Sequence, residues 1–63
     1  MLVWLVDARG KRSQQSVADA AGIAQSTYAS IETENRKPSV ATAKAIASVL
    51  GFDWTKFYRE EAQ

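Results

Sequence analysis

Apolar residues recur at helical spacing between residues 14 and 34, in the segment QQSVADAAGIAQSTYASIETE. One face of a first short helix holds three of them at i, i+1 and i+4, namely Val17, Ala18 and Ala21. Tyr28 and Ile31, at i and i+3, form the inner face of a second helix. Between the two helices, Gly22 can end the first in a left-handed conformation without a Cβ penalty. The pattern predicts two short helices joined by a tight turn.

The outward face of the second helix carries only small or amide-bearing side chains: Gln25, Ser26, Ala29, Ser30 and Thr33. Such a face is narrow enough to enter a DNA major groove, and it offers hydrogen-bonding groups to base edges. The same pattern also fits an ordinary αα-hairpin with a solvated polar face. The helix pair alone therefore leaves two interpretations open, a DNA-reading unit and a structural hairpin.

The N-terminal residues 1–8 form an apolar run with strand propensity. The run is too short for its periodicity to distinguish a strand from a helix. Because the rest of the chain is predicted to be helical, we expect a first helix here that ends at Gly10. Its inward residues are expected to be Leu2, Leu5 and Val6, with Trp4 as a further candidate, and Arg9 is expected in the connecting loop. Ser13 is the expected N-cap of the second helix.

The C-terminal third predicts two more helices. Ser39 is the expected N-cap of a fourth helix, which ends at Gly51 and buries an apolar stripe: Val40, Ala43, Ile46, Ala47 and Leu50. Asp53 is expected to cap a short fifth helix, with Phe52 and Phe57 in contact across its start. The aromatic residues Trp54, Phe57 and Tyr58 are expected in the core or at a dimer surface.

Length and composition narrow the class of protein. The 63 residues make one small domain, 1–63, and contain neither cysteine nor histidine. Disulfides, cysteine zinc sites and histidine-based catalytic triads are therefore excluded. We expect no enzyme, no cofactor, no metal site and no small-molecule ligand. The apolar residues 1–6 are too short to span a membrane, so a cytoplasmic protein is expected.

The charge is unevenly distributed although the net value is only +1. Residues 9–44 hold six basic and three acidic residues, whereas the rest of the chain, including Glu60 and Glu61, is acidic on balance. Two basic clusters flank the helix pair: Arg9, Lys11 and Arg12 before it, and Arg36 and Lys37 after it. Each cluster could simply solvate a loop, but beside a groove-facing helix, phosphate contact is the favoured interpretation.

The chain resembles the Cro- and phage-repressor-type helix-turn-helix family, small transcriptional regulators of bacteriophages and mobile elements. The matching segments cover nearly the whole chain: RGKRSQ (9–14), VADAAGI (17–23), YASIE (28–32), RKPSV (36–40) and AKAIASVLGFDW (43–54). The resemblance implies an all-α fold, a compact five-helix bundle of the lambda-repressor-like type. In this family the second and third helices form the helix-turn-helix.

The resemblance also implies a function, sequence-specific binding of double-stranded DNA to control transcription, with repression favoured over activation. By position, Gln14 would hold a phosphate and buttress the reading helix, while Gln25, Ser26 and Ser30 would face base edges. Structural roles fall to Ala18, Gly22, Ile23, Tyr28 and Ile31. A homodimer is expected on DNA, with weak or no dimerisation in free solution and an interface on the fourth and fifth helices. The alternative is a helical adaptor or antitoxin-like partner that binds protein.

Two positions depart from the family pattern. Ala24 stands where the family has a residue with an N-cap hydroxyl at the start of the third helix. Either Ala24 or Ser26 could therefore be the N-cap residue of that helix. Glu34 stands where the family has a glycine that leaves the helix in a left-handed conformation. Asn35 tolerates that conformation better, but using it would lengthen the helix and rotate the exit by about 100°. We therefore expect Glu34 to be left-handed.

Overall fold

Five helices form within residues 1–59, the part of the chain that the computed structural model describes: α1 (Val3–Arg9), α2 (Gln14–Ala21), α3 (Gln25–Glu32), α4 (Val40–Leu50) and α5 (Lys56–Arg59). No strand forms within these residues, and the all-α prediction with a helix-turn-helix of α2 and α3 is confirmed. Glu60 and Glu61, which contributed to the predicted charge distribution, lie outside the described residues.

All five helices contribute to one core. Its buried apolar residues are Leu5 from α1, Val17 and Ala18 from α2, Tyr28 and Ile31 from α3, Ala43 and Ile46 from α4, and Phe57 from α5. The structural roles predicted for Ala18, Tyr28 and Ile31 are confirmed, since all three are fully buried. Within the described residues, no helix is both long enough and apolar enough to cross a membrane.

The N-terminal apolar run is helical, as predicted, and it closes one side of the core. Leu5 is fully buried, while Leu2, Trp4 and Val6 are half-buried. The ring of Trp4 packs edge-on against Phe52 and Phe57, with both centroid distances at 5.2 Å. Such edge-to-face contacts add to the stabilisation from burial.

One boundary of this region differs from the prediction. Arg9 is the last residue of α1 and not part of the loop that follows it. The helix extends that far because Gly10, at φ 62°, supplies the positive φ at its end, so Arg9 can remain helical. Its position at the end of α1 directs its side chain into the protein, as described below.

The helix starts follow the local sequence. The Ser13 hydroxyl oxygen accepts a hydrogen bond from the Ser16 backbone N–H at 3.0 Å, and Ser39 does the same for Thr42 at 3.2 Å. Both predicted N-caps are thus confirmed. At the start of α3, Ala24 occupies the cap position without any side-chain hydrogen bond, so Ser26 does not start the helix. A missing cap costs about 1 kcal/mol, which packing of α3 has to offset.

The predicted stripe of α4 is wrong at its first residue. Val40 is 49% exposed, whereas Ala43, Ile46 and Ala47 are buried and Leu50 is half-buried. The cause is its position at the first turn of α4: Pro38, two residues earlier, is buried where the chain enters the core. The buried stripe therefore begins one turn later than its periodicity indicated.

The short α5 also begins later than predicted. The Asp53 carboxylate accepts hydrogen bonds from the backbone N–H and hydroxyl of Thr55, at 3.0 and 2.8 Å. Asp53 thus caps the turn that leads into α5, which starts at Lys56. The predicted contact between Phe52 and Phe57 is confirmed, with ring centroids 5.5 Å apart.

The chain leaves α3 through a Schellman motif with a glutamate in the glycine position. Glu34 has φ 68°, so the predicted left-handed residue is confirmed. The Glu34 N–H donates to the Ile31 carbonyl at 3.1 Å, and the Asn35 N–H donates to the Ser30 carbonyl at 2.9 Å. These hydrogen bonds hold a conformation that costs a residue with a Cβ roughly 1–2 kcal/mol.

Relief of this strain is measurable by comparing two substitutions at Glu34. Glu34→Gly is expected to unfold with a free energy about 1 kcal/mol higher than Glu34→Ala, because only the alanine retains the Cβ penalty. Both variants lose the ion pair between the carboxylate and the Met1 amino group, so that contribution cancels. Urea denaturation followed by circular dichroism measures the difference. An alanine variant as stable as the glycine variant would mean that φ at this position carries no strain.

Candidate nucleic-acid interface

The turn between α2 and α3 fixes how the two helices meet. Gly22, at φ 75°, ends α2, and its N–H donates to the Asp19 carbonyl at 3.2 Å. The Ile23 N–H donates to the Ala18 carbonyl at 3.0 Å, which completes a second Schellman motif. The Ile23 side chain is half-buried and packs against the core. The left-handed glycine and the apolar residue after it thus have the structural roles that the sequence predicted.

The outer face of α3 holds the predicted base-reading residues together. Tyr28, Ile31 and Glu32 are the buried residues of this helix. On the opposite side, Ser26 is exposed, and Gln25 and Ser30 are half-buried. Because the other residues of this face are Ala29 and Thr33, no bulky or charged side chain lies between them. The face is therefore polar, shallow and uncharged, and its amide and hydroxyl groups can form hydrogen bonds with base edges in the major groove.

Gln14 connects the start of α2 to this face. Its Oε1 accepts a hydrogen bond from Gln25 Nε2 at 2.9 Å, and its own Nε2 donates to Glu32 Oε1, also at 2.9 Å. The predicted contact between Gln14 and the third helix is thus present, and it joins the first residue of α2 to both ends of α3. The side chain of Gln25 is held in place by this contact and does not move freely in solvent.

A buried ion pair at the base of the helix-turn-helix was not predicted. Glu32 is 1% exposed, and its Oε2 accepts a hydrogen bond from Arg9 Nε at 2.7 Å. Arg9 Nη1 also donates to the Arg12 carbonyl at 2.8 Å. One sequence signal could have revealed it: Glu32 follows Tyr28 by four residues and therefore lies on the buried face of α3.

The contacts of Glu32 determine its ionisation. Burial alone raises the pKa of the carboxyl group, but hydrogen bonds from Arg9 and Gln14 outweigh it, and the pKa lies below its ordinary value. The hydrogen bond to Glu32 in turn raises the pKa of Arg9. Glu32 is therefore an ionised carboxylate at neutral pH, and it can only accept hydrogen bonds.

The Tyr28 hydroxyl lies near this ion pair. It is buried and reaches neither Glu32 nor Arg9 in regular hydrogen-bonding geometry, and no other described residue binds it. Burial raises its pKa, and the neighbouring Glu32 carboxylate raises it further. The hydroxyl is therefore neutral, and the role of Tyr28 is to fill the core between α3 and its neighbours.

The predicted phosphate-binding residues separate into two groups. Lys11 and Arg12 in the α1–α2 connection are exposed, and so are Arg36 and Lys37 in the α3–α4 connection. Arg9 differs, because its side chain is only 19% exposed and its charge is balanced by Glu32. The guanidinium of Arg9 has a structural role, which removes its charge from the basic cluster that the sequence indicated.

Contacts through Gln14 and Ser30 connect the two exposed basic segments to α3. The first segment leads directly into Gln14, whose side chain contacts Gln25 at the start of α3. In the second, the Arg36 N–H donates to the Ser30 carbonyl at 3.3 Å, which holds this segment against the last turn. The uncharged polar face is thus flanked along the chain by two exposed, positively charged connections, which can contact phosphates while the face meets base edges.

Comparisons with known proteins agree with this geometry. Residues 7–57 match the helix-turn-helix family model. The chain is 44% identical over 62 residues to an uncharacterized HTH-type transcriptional regulator, YqaF, from Bacillus subtilis strain 168. That alignment covers 95% of this chain and 82% of the relative. No solved structure matches the chain. The family match, the similarity to this relative and the observed α2–α3 unit all lead to the same assignment. The chain belongs to the Cro/C1-type helix-turn-helix family.

Proposed function

We propose that this protein is a sequence-specific DNA-binding transcriptional regulator that reads the major groove with the outer face of α3. The observation that carries the proposal is the uncharged polar face of Gln25, Ser26 and Ser30 between two exposed basic connections. Membership of a helix-turn-helix family, and a relative named as an HTH-type transcriptional regulator, support the same conclusion. A repressor acting in the cytoplasm is the form of this function that we favour.

In this proposal the two kinds of contact have separate tasks. Lys11, Arg12, Arg36 and Lys37 bind phosphates and hold the domain in register on the duplex. Gln14, at the first position of α2, adds a phosphate contact where the backbone N–H groups of the helix also point outward. Gln25, Ser26 and Ser30 then meet base edges, and the preferred sequence depends on them and on the shape of the DNA.

A homodimer on DNA is part of the proposal. Helix-turn-helix dimers place their reading helices about 34–36 Å apart, one turn of the duplex. The interface is assigned to α4 and α5 around Gly51–Trp54, where Trp54 is half-buried and Tyr58 is 36% exposed. Because this apolar surface is small, we expect weak association in free solution and cooperative pairing on a two-fold site.

The phosphate contacts are tested by a salt titration of duplex binding. Arg36→Ala and Lys37→Ala are each expected to lower the slope of log affinity against log salt by about 1, and to weaken all sequences alike. Lys56→Ala is the matched control, because Lys56 lies in α5 with its ammonium group 5.0 Å from the ring centroid of Trp4. Unchanged slopes in the Arg36 and Lys37 variants would remove these residues from the interface.

The titration also separates this function from the alternative of a protein-binding adaptor. An adaptor would bind duplex DNA weakly, without sequence preference. Of the three C-terminal aromatic residues, Phe57 is buried, Trp54 is half-buried and Tyr58 is 36% exposed. The aromatic surface on which an adaptor could dock is therefore smaller than the sequence indicated.

A further inference from the structure

Four side chains form a continuous chain of hydrogen bonds from the interior to the outer face of α3. Arg9 Nε donates to Glu32 Oε2 at 2.7 Å, Gln14 Nε2 donates to Glu32 Oε1 at 2.9 Å, and Gln25 Nε2 donates to Gln14 Oε1 at 2.9 Å. We infer that Glu32 is a positioning residue for base specificity: through Gln14, its carboxylate sets which atoms of the Gln25 amide face the DNA. The inference deepens the proposed function and rests on it.

The direction of these hydrogen bonds follows from the chemistry of the Glu32 carboxylate at their buried end. An ionised carboxylate has no donor, so the Gln14 atom that faces Glu32 must be the amide nitrogen. The atom of Gln14 that faces Gln25 is then the oxygen, which can only accept. Gln25 must therefore turn its nitrogen toward Gln14. Each amide has one orientation because the carboxylate excludes the reversed one.

This orientation determines what Gln25 offers to a base. One N–H of its amide is bound to Gln14, which leaves the carbonyl oxygen and the second N–H for the groove. An acceptor beside a donor complements adenine, whose major-groove edge carries the N6 donor and the N7 acceptor. Guanine presents two acceptors, O6 and N7, so the Gln25 oxygen would face an acceptor there. The buried carboxylate thus favours adenine over guanine at one base pair.

Substitution of Glu32 by glutamine is expected to reverse the donor and acceptor roles in this series of hydrogen bonds. The side chain at position 32 then carries one oxygen and one amino group, and Arg9, which only donates, holds the oxygen. The amino group faces Gln14, which must turn its own oxygen inward and its nitrogen toward Gln25. Gln25 then accepts from Gln14 and presents two N–H groups, which complement guanine. A change of one buried residue that touches no DNA therefore alters the base that is read.

Gln14→Met is the second test variant, and it leaves the ion pair of Arg9 and Glu32 in place. Methionine has a similar length but no amide, so Gln25 loses its fixed orientation. Gln15→Met is the matched control, because Gln15 is the exposed neighbouring residue and its Nε2 donates to Asp19 Oδ1 of its own helix, at 2.8 Å. Loss of a phosphate contact by Gln14 weakens all sequences alike and does not change a ratio of two affinities.

The experiment measures a ratio of affinities on the full chain. Selection of duplexes by the wild-type protein identifies the preferred site, and the base pair at which Gln25→Ala loses preference is the pair that Gln25 reads. Affinities are then measured on two duplexes that carry adenine or guanine at this pair. We expect the wild-type protein to prefer adenine by roughly 5- to 150-fold, the range for a bidentate amide contact.

The inference predicts that Gln14→Met brings this ratio to within about twofold of unity, that Glu32→Gln reverses it, and that Gln15→Met leaves it unchanged. Preferences at the other base pairs should stay the same in all three. Retention of the adenine preference by Gln14→Met, with wild-type circular dichroism, overturns the inference even if Glu32→Gln does not fold. It leaves the proposed function intact. Failure of the wild-type protein to enrich any duplex sequence overturns both.

Discussion

Arg9→Met is expected to lower the free energy of unfolding by about 3–5 kcal/mol, because it leaves Glu32 as a buried charge without its partner. Glu32 is 1% exposed, and methionine has no donor to replace the guanidinium. A loss of this size is a large part of the stability of so small a domain. Urea denaturation at pH 7 measures it. Arg12→Met is the control, because the Arg12 side chain is exposed and its Nη1 contacts the Val49 carbonyl at 3.4 Å, so its effect should stay within about 0.5 kcal/mol.

The dependence on pH gives an independent reading of the same ion pair. The pKa of Glu32 is lower in the folded protein than its ordinary value of 4.5. The stabilisation is therefore fully present above about pH 5 and is lost as the pH falls through the lower, folded-state pKa. In Arg9→Met the contributions that lower this pKa are reduced, so the loss in acid should be smaller than in the wild-type protein. Equal losses in both proteins would show that the pair does not set the ionisation of Glu32.

Gln25→Ala is expected to weaken binding to the preferred site by about 1–3 kcal/mol and to relax the choice at one base pair. Gln25 lies at the start of α3 on its polar face, and Gln14 holds its amide. Binding to unrelated duplexes should change little, because the phosphate contacts remain. Gln15→Ala removes an amide from the neighbouring surface of α2 and should leave the preferred site unchanged. Selection experiments that return the wild-type sequence for Gln25→Ala would show that Gln25 reads no base.

The parts of the fold that depend on neighbouring residues could be predicted from the sequence. Ser13 and Ser39 are N-caps because a hydroxyl accepts from an N–H three residues later, which is a local interaction. Gly22 and Gly51 end their helices because the residue directly after the last helical residue adopts a left-handed conformation, which glycine takes without a Cβ penalty. The inward side of α3 followed in the same way from the spacing of Tyr28 and Ile31.

The ion pair of Arg9 and Glu32 was missed because it joins residues 23 positions apart in the sequence. A count of charges treats each charged residue as solvent-exposed, and Arg9 was therefore placed among the phosphate contacts. The spacing of Glu32 from Tyr28 is compatible with the buried face of α3, but the partner of Glu32 depends on how α1 crosses α3. Periodicity within one helix does not contain that information.

The error at Val40 has a different cause. Periodicity assigns a residue to a face of its helix, and Val40 does lie on the face of Ala43 and Ala47. The first turn of α4, however, lies outside the core: Val40 and Ala41 are exposed, and the first buried residue of the helix is Ala43.

Selection of duplexes from a random pool by the wild-type protein tests the central claim most directly. A DNA-reading α3 predicts enrichment of a two-fold symmetric sequence with half-sites about one helical turn, 10–10.5 base pairs, apart. Two chains should bind each enriched duplex, with an affinity that falls steeply as salt is added. A pool that stays random after repeated rounds, under salt conditions in which the protein is folded, would contradict the claim.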